Sequence, residues 1–340
     1  MKKKLKILFF SILTVLCVFT LESQDPIFSQ FYSSPLHINP AFTGKSYAPV
    51  IHLNSRIEWP MINFAYNTYA ISVDRFFEKK NFGAGLIILV DDSGNGIYRR
   101  FRSEGMFSYR LKAAENKYFK MGLGFAYGQN TLDWNKLVFG DMIDALSGFT
   151  LPDGSPLITE EIMPEDLTKR YFDLSAGLLY YSRSVYIGIA IKHANTPVNY
   201  YFNQNSDGVN KGLPMRFTAQ IGGEIQMFPD DVYHKSFYSP GLLYVFQSGL
   251  HQLTFNNYFD LGGFFGGLGY RFNITNSDAV IFSAGVTKEM FKIGYSFDYT
   301  ISGLGINTGG SHELGITVNF EKSTLFRKEY RYSDCFNLFR

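Results

Sequence analysis

Charge, cysteine and long apolar runs are all scarce in this chain. Charged residues make up 18% of the 340, below the share of about a quarter that is typical of soluble domains. Lys and Arg are scattered, and the formal net charge is +2, so a nucleic-acid partner has no electrostatic footprint here. The mean hydropathy of −0.07 and the lack of a spanning apolar run after the N-terminus exclude a helical membrane protein.

Cysteine occurs twice in the sequence, at positions 17 and 335. Cys17 lies in an N-terminal segment with four early lysines and an apolar run over residues 5–21, which is typical of a secretory signal. We expect cleavage after Ser23, which would make residues 1–23 a signal peptide and Cys335 the one cysteine of the mature chain. An internal disulfide is then impossible. An uncleaved N-terminal anchor is the alternative.

Sequence motifs for catalysis and for metal binding are missing. The chain has no Gly-x-Ser-x-Gly elbow and no phosphate loop, and its histidines lack metal-ligand spacing. Residues 91–96 (DDSGNG) invite a calcium interpretation, but Arg102 stands where an EF-hand loop needs a bidentate Glu, and a hairpin turn explains them better. We therefore predict that the protein is not an enzyme and binds no cofactor and no metal.

Aromatic residues are abundant, at 17% of the chain, and they alternate with small or polar residues. One parity of residues 119–129 is large and apolar, whereas the other is small or polar. This is typical of a transmembrane β-strand, whose outer face meets lipid. The small lumen-facing residues that we single out are Gly122, Gly124, Gly128, Gly188 and Gly294. They leave room for a plug or a cargo segment; an open pore is the alternative.

The repetition of this pattern predicts an all-β fold, a transmembrane antiparallel β-barrel of about 14 strands in the outer membrane. We divide the mature chain into an N-terminal irregular segment (24–48, periplasmic or a lumen plug), the barrel (49–320) and a C-terminal periplasmic tail (321–340). Short and long connections alternate, so every long one should lie outside the cell. The predicted strands are 49–59, 64–77, 81–92, 99–112, 117–131, 170–182, 184–196, 213–228, 236–247, 250–260, 262–273, 278–287, 290–302 and 311–320.

Two clusters of side chains are candidates for partner binding. The long connection 133–169 is acidic and could oppose a basic partner or a cation, although a solvated loop face is the alternative. The tail mixes basic and aromatic residues, and aromatic residues at that density usually pack against something. The candidate residues are Asp153, Glu160, Glu161, Glu165 and Asp166 in the loop, and Arg327, Lys328, Tyr330, Arg331 and Tyr332 in the tail.

Several blocks of the sequence resemble the PorP/SprF family, outer-membrane components of the Bacteroidetes type IX secretion system. They cover nearly the whole mature chain. The tail departs from the Cys-Pro ending of many members, since Phe336 follows Cys335. The blocks are 24–32 (QDPIFSQFY), 39–44 (NPAFTG), Arg56 with 59–60 (WP), 132–134 (LDW) with 139–141 (FGD), 171–177 (YFDLSAG), and 295–298 (YSFD) through 308–313 (TGGSHE).

The resemblance implies a non-enzymatic part of the secretion and gliding machinery that acts through protein contacts. Its implied partners are a large secreted adhesin with a type B C-terminal domain, which is the association of the SprF branch, other outer-membrane and periplasmic ring proteins of the system, and the lipid bilayer. A passive porin or hydrophobic-solute channel is one alternative function. A core-complex barrel that anchors the periplasmic ring is another.

Overall fold

The structure, a computed structural model, is a closed antiparallel β-barrel with almost no helix. It describes residues 25–62, 65–144, 148–149, 155, 157–199, 201, 212–227, 236–273, 277–303, 305–326 and 335–339. Within these ranges, none of the helices has the length and apolar character needed to cross a membrane.

Each strand pairs with its neighbour in sequence, and the last strand pairs with the first. Val50 lies opposite Asn319 and Glu58 opposite Ser311, which closes the barrel. The predicted fold class is confirmed. The strands are β1 (Val50–Glu58), β2 (Tyr66–Phe77), β3 (Phe82–Ser93), β4 (Tyr98–Ala114), β5 (Lys117–Leu132), β6 (Thr168–Tyr181), β7 (Val185–Lys192), β8 (Arg216–Gly223), β9 (Phe237–Gln247), β10 (Leu250–Asp260), β11 (Phe264–Asn273), β12 (Ser277–Lys288), β13 (Phe291–Thr300) and β14 (Ser311–Asn319).

In the part of the chain that the structure describes, helical structure is limited to short turns. One α-helical turn, α1, covers Pro35–Ile38. The 3-10 turns are Phe31–Ser33, Pro40–Phe42, Glu78–Lys80, Trp134–Lys136, Gly140–Met142, Ile306–Thr308 and Phe320–Lys322.

Strand β8 is interrupted at Glu224 and continues for two residues, Ile225–Gln226, in the same register against β9. The cause is Pro240 of β9, which lies opposite Gly223 in the continued register and has no amide hydrogen to donate. The hydroxyl of Ser239 donates to the Gly223 carbonyl instead, at 2.9 Å. The two pieces form one strand, so the barrel has fourteen strands.

The alternating pattern assigns the two faces of the wall correctly. On β5 the side chains of Phe119 and Leu123 are 48% and 55% exposed, whereas Lys120 is buried in the lumen. The prediction overran β7, which ends at Lys192 rather than at residue 196. His193 and Thr196 have φ angles of 56° and 41°, a left-handed conformation that a strand cannot contain.

The connections fall into two groups, and the prediction that every long one lies on one side holds only in part. We call the end of the barrel where β1 begins the turn end, and the opposite end the loop end. Connections 133–167 and 193–215 lie at the loop end. The ten-residue connection between β8 and β9 joins strand ends at the turn end. The connections between β9 and β10 and between β11 and β12, of two and three residues, join strand ends at the loop end.

The main apolar core lies inside the barrel rather than between layers. Residues 28–44 are all buried there, and the chain end at Cys335–Phe339 is buried beside them, apart from a more exposed Asn337. The wall contributes inward-facing side chains. The largest cluster contains Phe31, Tyr32, Ile38, Ala41 and Phe42, the wall residues Leu179, Tyr181, Tyr186, Phe237, Leu243, Val245, Tyr258 and Phe265, and the C-terminal residues Cys335, Phe336, Leu338 and Phe339.

Candidate functional site: a lumen filled by the N-terminal segment

Residues 25–48, which we call the plug, run through the lumen from the loop end to the turn end. At the loop end, the Asp25 amide donates to Oε1 of Gln247 at 3.1 Å. At the turn end, the Phe76 amide of β2 donates to the Ser46 carbonyl at 2.7 Å. The sequence allowed two positions for this segment, in the periplasm or in the lumen as a plug. In the structure, residues 25–48 lie in the lumen.

Asn39 attaches the middle of the plug to the wall. Its Nδ2 donates to the carbonyls of Leu178 on β6 and Ile189 on β7, at 3.2 and 3.1 Å. Its Oδ1 accepts from the Ala41 amide at 2.8 Å, which caps the 3-10 turn Pro40–Phe42. A single amide side chain therefore shapes the plug and holds it against two strands.

Glycines on three adjacent strands make room for this turn. A Cβ on Gly122 would lie 2.3 Å from the backbone nitrogen of Ala41, and one on Gly177 would lie 2.0 Å from Oδ1 of Asn39. A Cβ on Gly188 would lie 3.0 Å from Nδ2 of Asn39. The plug backbone can approach this part of the wall only because the wall carries no side chain there.

The remaining predicted lumen glycines divide between the plug and the wall. Gly294 faces the plug, because its Cβ would lie 2.7 Å from the Tyr32 hydroxyl. A Cβ on Gly124 would instead meet Ser175 Oγ at 2.2 Å, and one on Gly128 would meet the Tyr171 ring at 2.3 Å. These two glycines accommodate side chains of β6 and leave no space for cargo.

A buried charge cluster on β1, β13 and β14 binds the half of the plug nearest the loop end. Arg56 binds Asp298 and Glu313 at 2.9 and 3.2 Å, and all three side chains are almost fully buried. The amides of Ser29 and Gln30 donate to the two Glu313 oxygens at 2.7 and 3.0 Å. Glu58 also binds Arg56 at 2.6 Å, and Arg271 of β11 also binds Asp298 at 2.9 Å. These three carboxylates therefore face two guanidinium groups, and the plug amides supply further donors to Glu313.

A second charge cluster holds the beginning of the plug against β6, β7 and β8. His193 contacts Asp25 through Nε2 at 2.7 Å and Asp173 through Nδ1 at 2.9 Å. Arg216 lies 3.7 Å from Asp25. Burial alone would raise the pKa of Asp25, but His193 and Arg216 outweigh it and hold that pKa well below the usual range. Asp25 therefore stays ionised.

His37 is a buried titratable group in the middle of the plug. Its Nε2 lies 2.8 Å from the Pro26 carbonyl and 3.3 Å from Nη1 of Arg216. Burial lowers its pKa well below the ordinary value, and the nearby cations Lys192 and Arg216 lower it further. The ring is therefore neutral in the docked plug.

The part of the plug nearest the turn end is anchored by β2, β4 and β5. On β4, the Ser108 hydroxyl donates to the Thr43 carbonyl at 2.7 Å. Lys120 donates to the carbonyls of Thr43 and Gly44, the latter at 2.9 Å. The Gly44 amide donates to Asp74 at 2.6 Å. Gly44 has a φ of +71°, and a Cβ there would lie 2.8 Å from Cα of Gly83, so the position requires glycine.

A cavity of about 530 Å³ remains at the loop end. The first plug residues, Asp25, Pro26 and Ile27, form part of its lining, together with the strand ends at Glu58 and Asp278. The plug thus separates this cavity from the turn end of the barrel.

The predicted partner-binding residues that the structure describes lie outside this site. Glu160, Glu161, Glu165 and Asp166 are exposed in the loop-end connection, where the Glu160 amide donates to Asp141 at 2.7 Å. That bond holds the pKa of Asp141 below its usual range. Asp153, Arg327, Lys328, Tyr330, Arg331 and Tyr332 lie outside the described residues. Partner binding by both clusters stays a prediction.

Sequence reasoning found the charged lumen face but missed the plug residues that bind it. Asn39 and Asp25 gave no periodic signal, because the segment contains only short helical turns and no strand. Two other signals were available. One was the number of charged residues on the inward parity of β13 and β8, which a lumen must neutralise, and the other was the pair of family blocks 24–32 and 39–44.

A family model of type IX secretion system membrane proteins, PorP/SprF, matches residues 20–318. The chain belongs to the PorP/SprF family. It is an outer-membrane β-barrel of the type IX secretion system, and the family is not a family of enzymes. Other components of that system are the partners that membership indicates.

Several of the blocks by which the sequence resembles PorP/SprF proteins meet in the lumen, whereas residues 139–141 lie in the loop-end connection. Ser29 and Gln30 come from the first block, and they bind Glu313 from the last. Asn39 of the second block sits against Gly177, which ends the 171–177 block. These blocks are the plug and the wall residues that hold it.

The solved structures to which this PorP/SprF chain is similar share little sequence identity with it. The CymD monoaromatic hydrocarbon channel is 12% identical, with a TM-score of 0.46 and coverage of 87% of this chain and 92% of that one. A Pseudomonas aeruginosa FadL homologue is 10% identical, with a TM-score of 0.42 and coverage of 83% and 93%. The KdgM porin is 9% identical, with a TM-score of 0.37 and coverage of 80% and 99%. No curated protein sequence matches the chain significantly.

Proposed function

We propose that this protein is a plugged, non-conducting barrel that supports export or surface attachment of large adhesins with type B C-terminal domains. It acts through protein contacts and performs no chemistry. The observation that carries the proposal is the plug, which runs the length of the lumen and is bonded to most of the strands around it. A lumen filled in this way transports no solute, so the loops and the two rims are the surfaces left for partners.

The plug also weighs against the passive porin and the hydrophobic-solute channel. A diffusion pore needs a continuous water path, whereas residues 28–44 are buried throughout. Anchoring of the periplasmic ring stays an alternative role for the turn end.

Planar-bilayer recording tests whether the barrel is closed. We expect purified full-length protein to give no stable conductance steps, and liposomes that contain it to show no swelling with small sugars. A variant that lacks residues 25–48 and still migrates as a folded, heat-modifiable barrel serves as the positive control. Sugar flux graded by size through the wild-type protein would contradict the plugged reading and favour the porin.

Surface proteomics tests the role in secretion. Cells that lack the gene should lose at least one very large protein from their surface, or release it into the medium, and the wild-type gene should restore it. Unchanged surface and medium proteomes would exclude the adhesin role. Loss of ring proteins from the outer-membrane fraction, with the adhesins in place, would instead favour the anchoring role.

A further inference from the structure

The buried end of the chain, Cys335–Phe339, lies at the turn end between the plug and the wall. The Phe339 ring stacks on Phe42 of the plug at a centroid distance of 5.3 Å and an interplanar angle of 24°. On its other side it meets Tyr186 of β7 edge-on at 5.5 Å. Phe336 contacts Tyr186 and Phe42 as well, at 5.7 and 6.0 Å. Two phenylalanines three residues apart thus wedge the plug against β7.

Two buried charged side chains recognise the backbone between these rings. Glu224 accepts from the Leu338 amide at 2.7 Å and from Nδ2 of Asn337 at 2.8 Å. Lys292 donates to the carbonyls of Asn337 and Leu338, at 3.1 and 2.7 Å. Glu224 follows β8 and Lys292 lies near the start of β13, so the segment bridges the lumen from one side to the other.

This arrangement has the features of a peptide-binding site. Aromatic pockets select the side chains at two positions, and charged groups bind the peptide groups in between. Both charges would be costly to bury without such partners. The family match ends at residue 318, so the matched residues include the site but not the segment that fills it.

We propose that Phe42, Tyr186, Glu224 and Lys292 form a binding site for a short Phe-x-x-Phe peptide, and that the chain's own C-terminus is its resident ligand. The segment Cys335–Phe339, which we call the latch, locks the plug in the lumen. A partner that presents a Phe-x-x-Phe segment at the turn end displaces the latch and releases the half of the plug nearest that end. The proposal rests on lumen contacts and does not depend on which cargo the secretion system carries.

Cys335 is a native reporter of latch release, because its side chain is fully buried. The experiment uses full-length purified protein whose start at Gln24 has been verified by mass spectrometry, so that Cys335 is its one cysteine. The rate of labelling by a water-soluble maleimide is measured. We expect slow labelling of the wild type and at least tenfold faster labelling of Phe339→Ala and Lys292→Met. Lys79→Met, on an exposed turn-end lysine, is the matched control and should label at the wild-type rate.

Heat-modifiable migration confirms for each variant that the barrel is folded. Fast labelling of the wild type, or unchanged labelling of both latch variants in folded barrels, would overturn the latch. Amide hydrogen exchange over residues 40–48 provides a second readout. It should rise at least tenfold in Phe339→Ala, and an unchanged rate would show that the latch does not restrain the plug.

A peptide competition tests whether the site is exchangeable. Acetyl-Phe-Asn-Leu-Phe-amide is added to the wild-type protein during maleimide labelling. We expect labelling of Cys335 to accelerate and to saturate with peptide concentration, whereas acetyl-Ala-Asn-Leu-Ala-amide has no effect. Equal effects of the two peptides, or no effect of either, would refute exchange by a partner.

Discussion

At Gly122 a missing side chain decides whether the plug fits. The added Cβ would meet the backbone of Ala41 at 2.3 Å, and a backbone atom cannot rotate away as a flexible side chain can. Gly105 on β4 is the contrasting case, because nothing lies within 4 Å of the Cβ position there.

We predict that Gly122→Ala loosens the plug without unfolding the barrel. Overpacking of this kind typically costs about 1–3 kcal/mol, which the plug can relieve by moving. Amide exchange over residues 39–43 should rise at least fivefold, while heat-modifiable migration stays unchanged. Gly105→Ala is the matched control and should leave exchange at the wild-type rate. Equal exchange in the two variants would show that the close approach is not required.

His37 gives the docked plug a dependence on pH. The pKa of the docked ring is lowered by burial and by Lys192 and Arg216, whereas an undocked ring takes up a proton near its ordinary pKa of about 6.5. The docked state therefore binds fewer protons at mildly acidic pH. Its stability is complete above pH 6.5 and falls below it, by up to about 1.4 kcal/mol for each pH unit.

Bilayer recording at pH 7.5 and pH 5 tests this dependence. We expect opening events to be more frequent at pH 5 in the wild type, and the increase to be much smaller in His37→Gln, whose amide can still donate to Pro26. Asp25 and His193 are present in both proteins and contribute equally to any change with pH. The difference in opening frequency between the wild type and His37→Gln is therefore due to His37. His251→Gln, on the other face of the wall, should behave like the wild type. Identical pH profiles of His37→Gln and the wild type would refute this role.

Strand β8 depends on a side chain of its neighbour to complete its ladder. Ser239 Oγ donates to the Gly223 carbonyl, because Pro240 has no amide hydrogen to offer at that position. An acceptor left unsatisfied in such a site typically costs about 1–3 kcal/mol.

A double-mutant cycle tests whether the Ser239 hydroxyl replaces the amide hydrogen that Pro240 lacks. Ser239→Ala should lower the midpoint of denaturant unfolding in the wild type. In the Pro240→Val background the new amide can donate to Gly223, so the same substitution should have little effect there. Additive effects of the two substitutions would show that the hydroxyl does not replace the missing ladder bond.

The plug threads the barrel, so the first and the last described residues are held at opposite rims. Asp25 lines the loop-end cavity, whereas Phe339 stacks under the plug at the turn end. Both ends are tied to the wall by buried polar contacts, which makes the lumen a closed structural unit rather than a channel with a loose cover.

Surface labelling of intact cells tests this threading. A short epitope inserted between Gln24 and Asp25 should be accessible to antibody from outside, because it would emerge at the loop end. The same epitope inserted between residues 115 and 116 should be accessible only after permeabilisation, since that connection lies at the turn end. The reverse pattern would contradict the orientation, and an inaccessible N-terminal epitope would contradict the threading.

Strand positions were within reach of sequence reasoning, and the contacts inside the lumen were not. The alternation over residues 117–131 predicted β5, which covers Lys117–Leu132. It also placed Gly122, Gly124 and Gly128 on one face. It could not tell that Gly122 meets the plug whereas the other two meet side chains of β6, because parity carries no information about what lies opposite.

The sequence by itself determined that this is an outer-membrane barrel of about fourteen strands, and which family it belongs to. Period-two alternation is a local property, and each strand displays it without reference to the others. Only the tertiary structure decided that residues 25–48 fill the lumen and that Cys335–Phe339 packs against them. Those contacts join residues such as Ser29 and Glu313, 284 positions apart, and barrel closure alone brings such residues together.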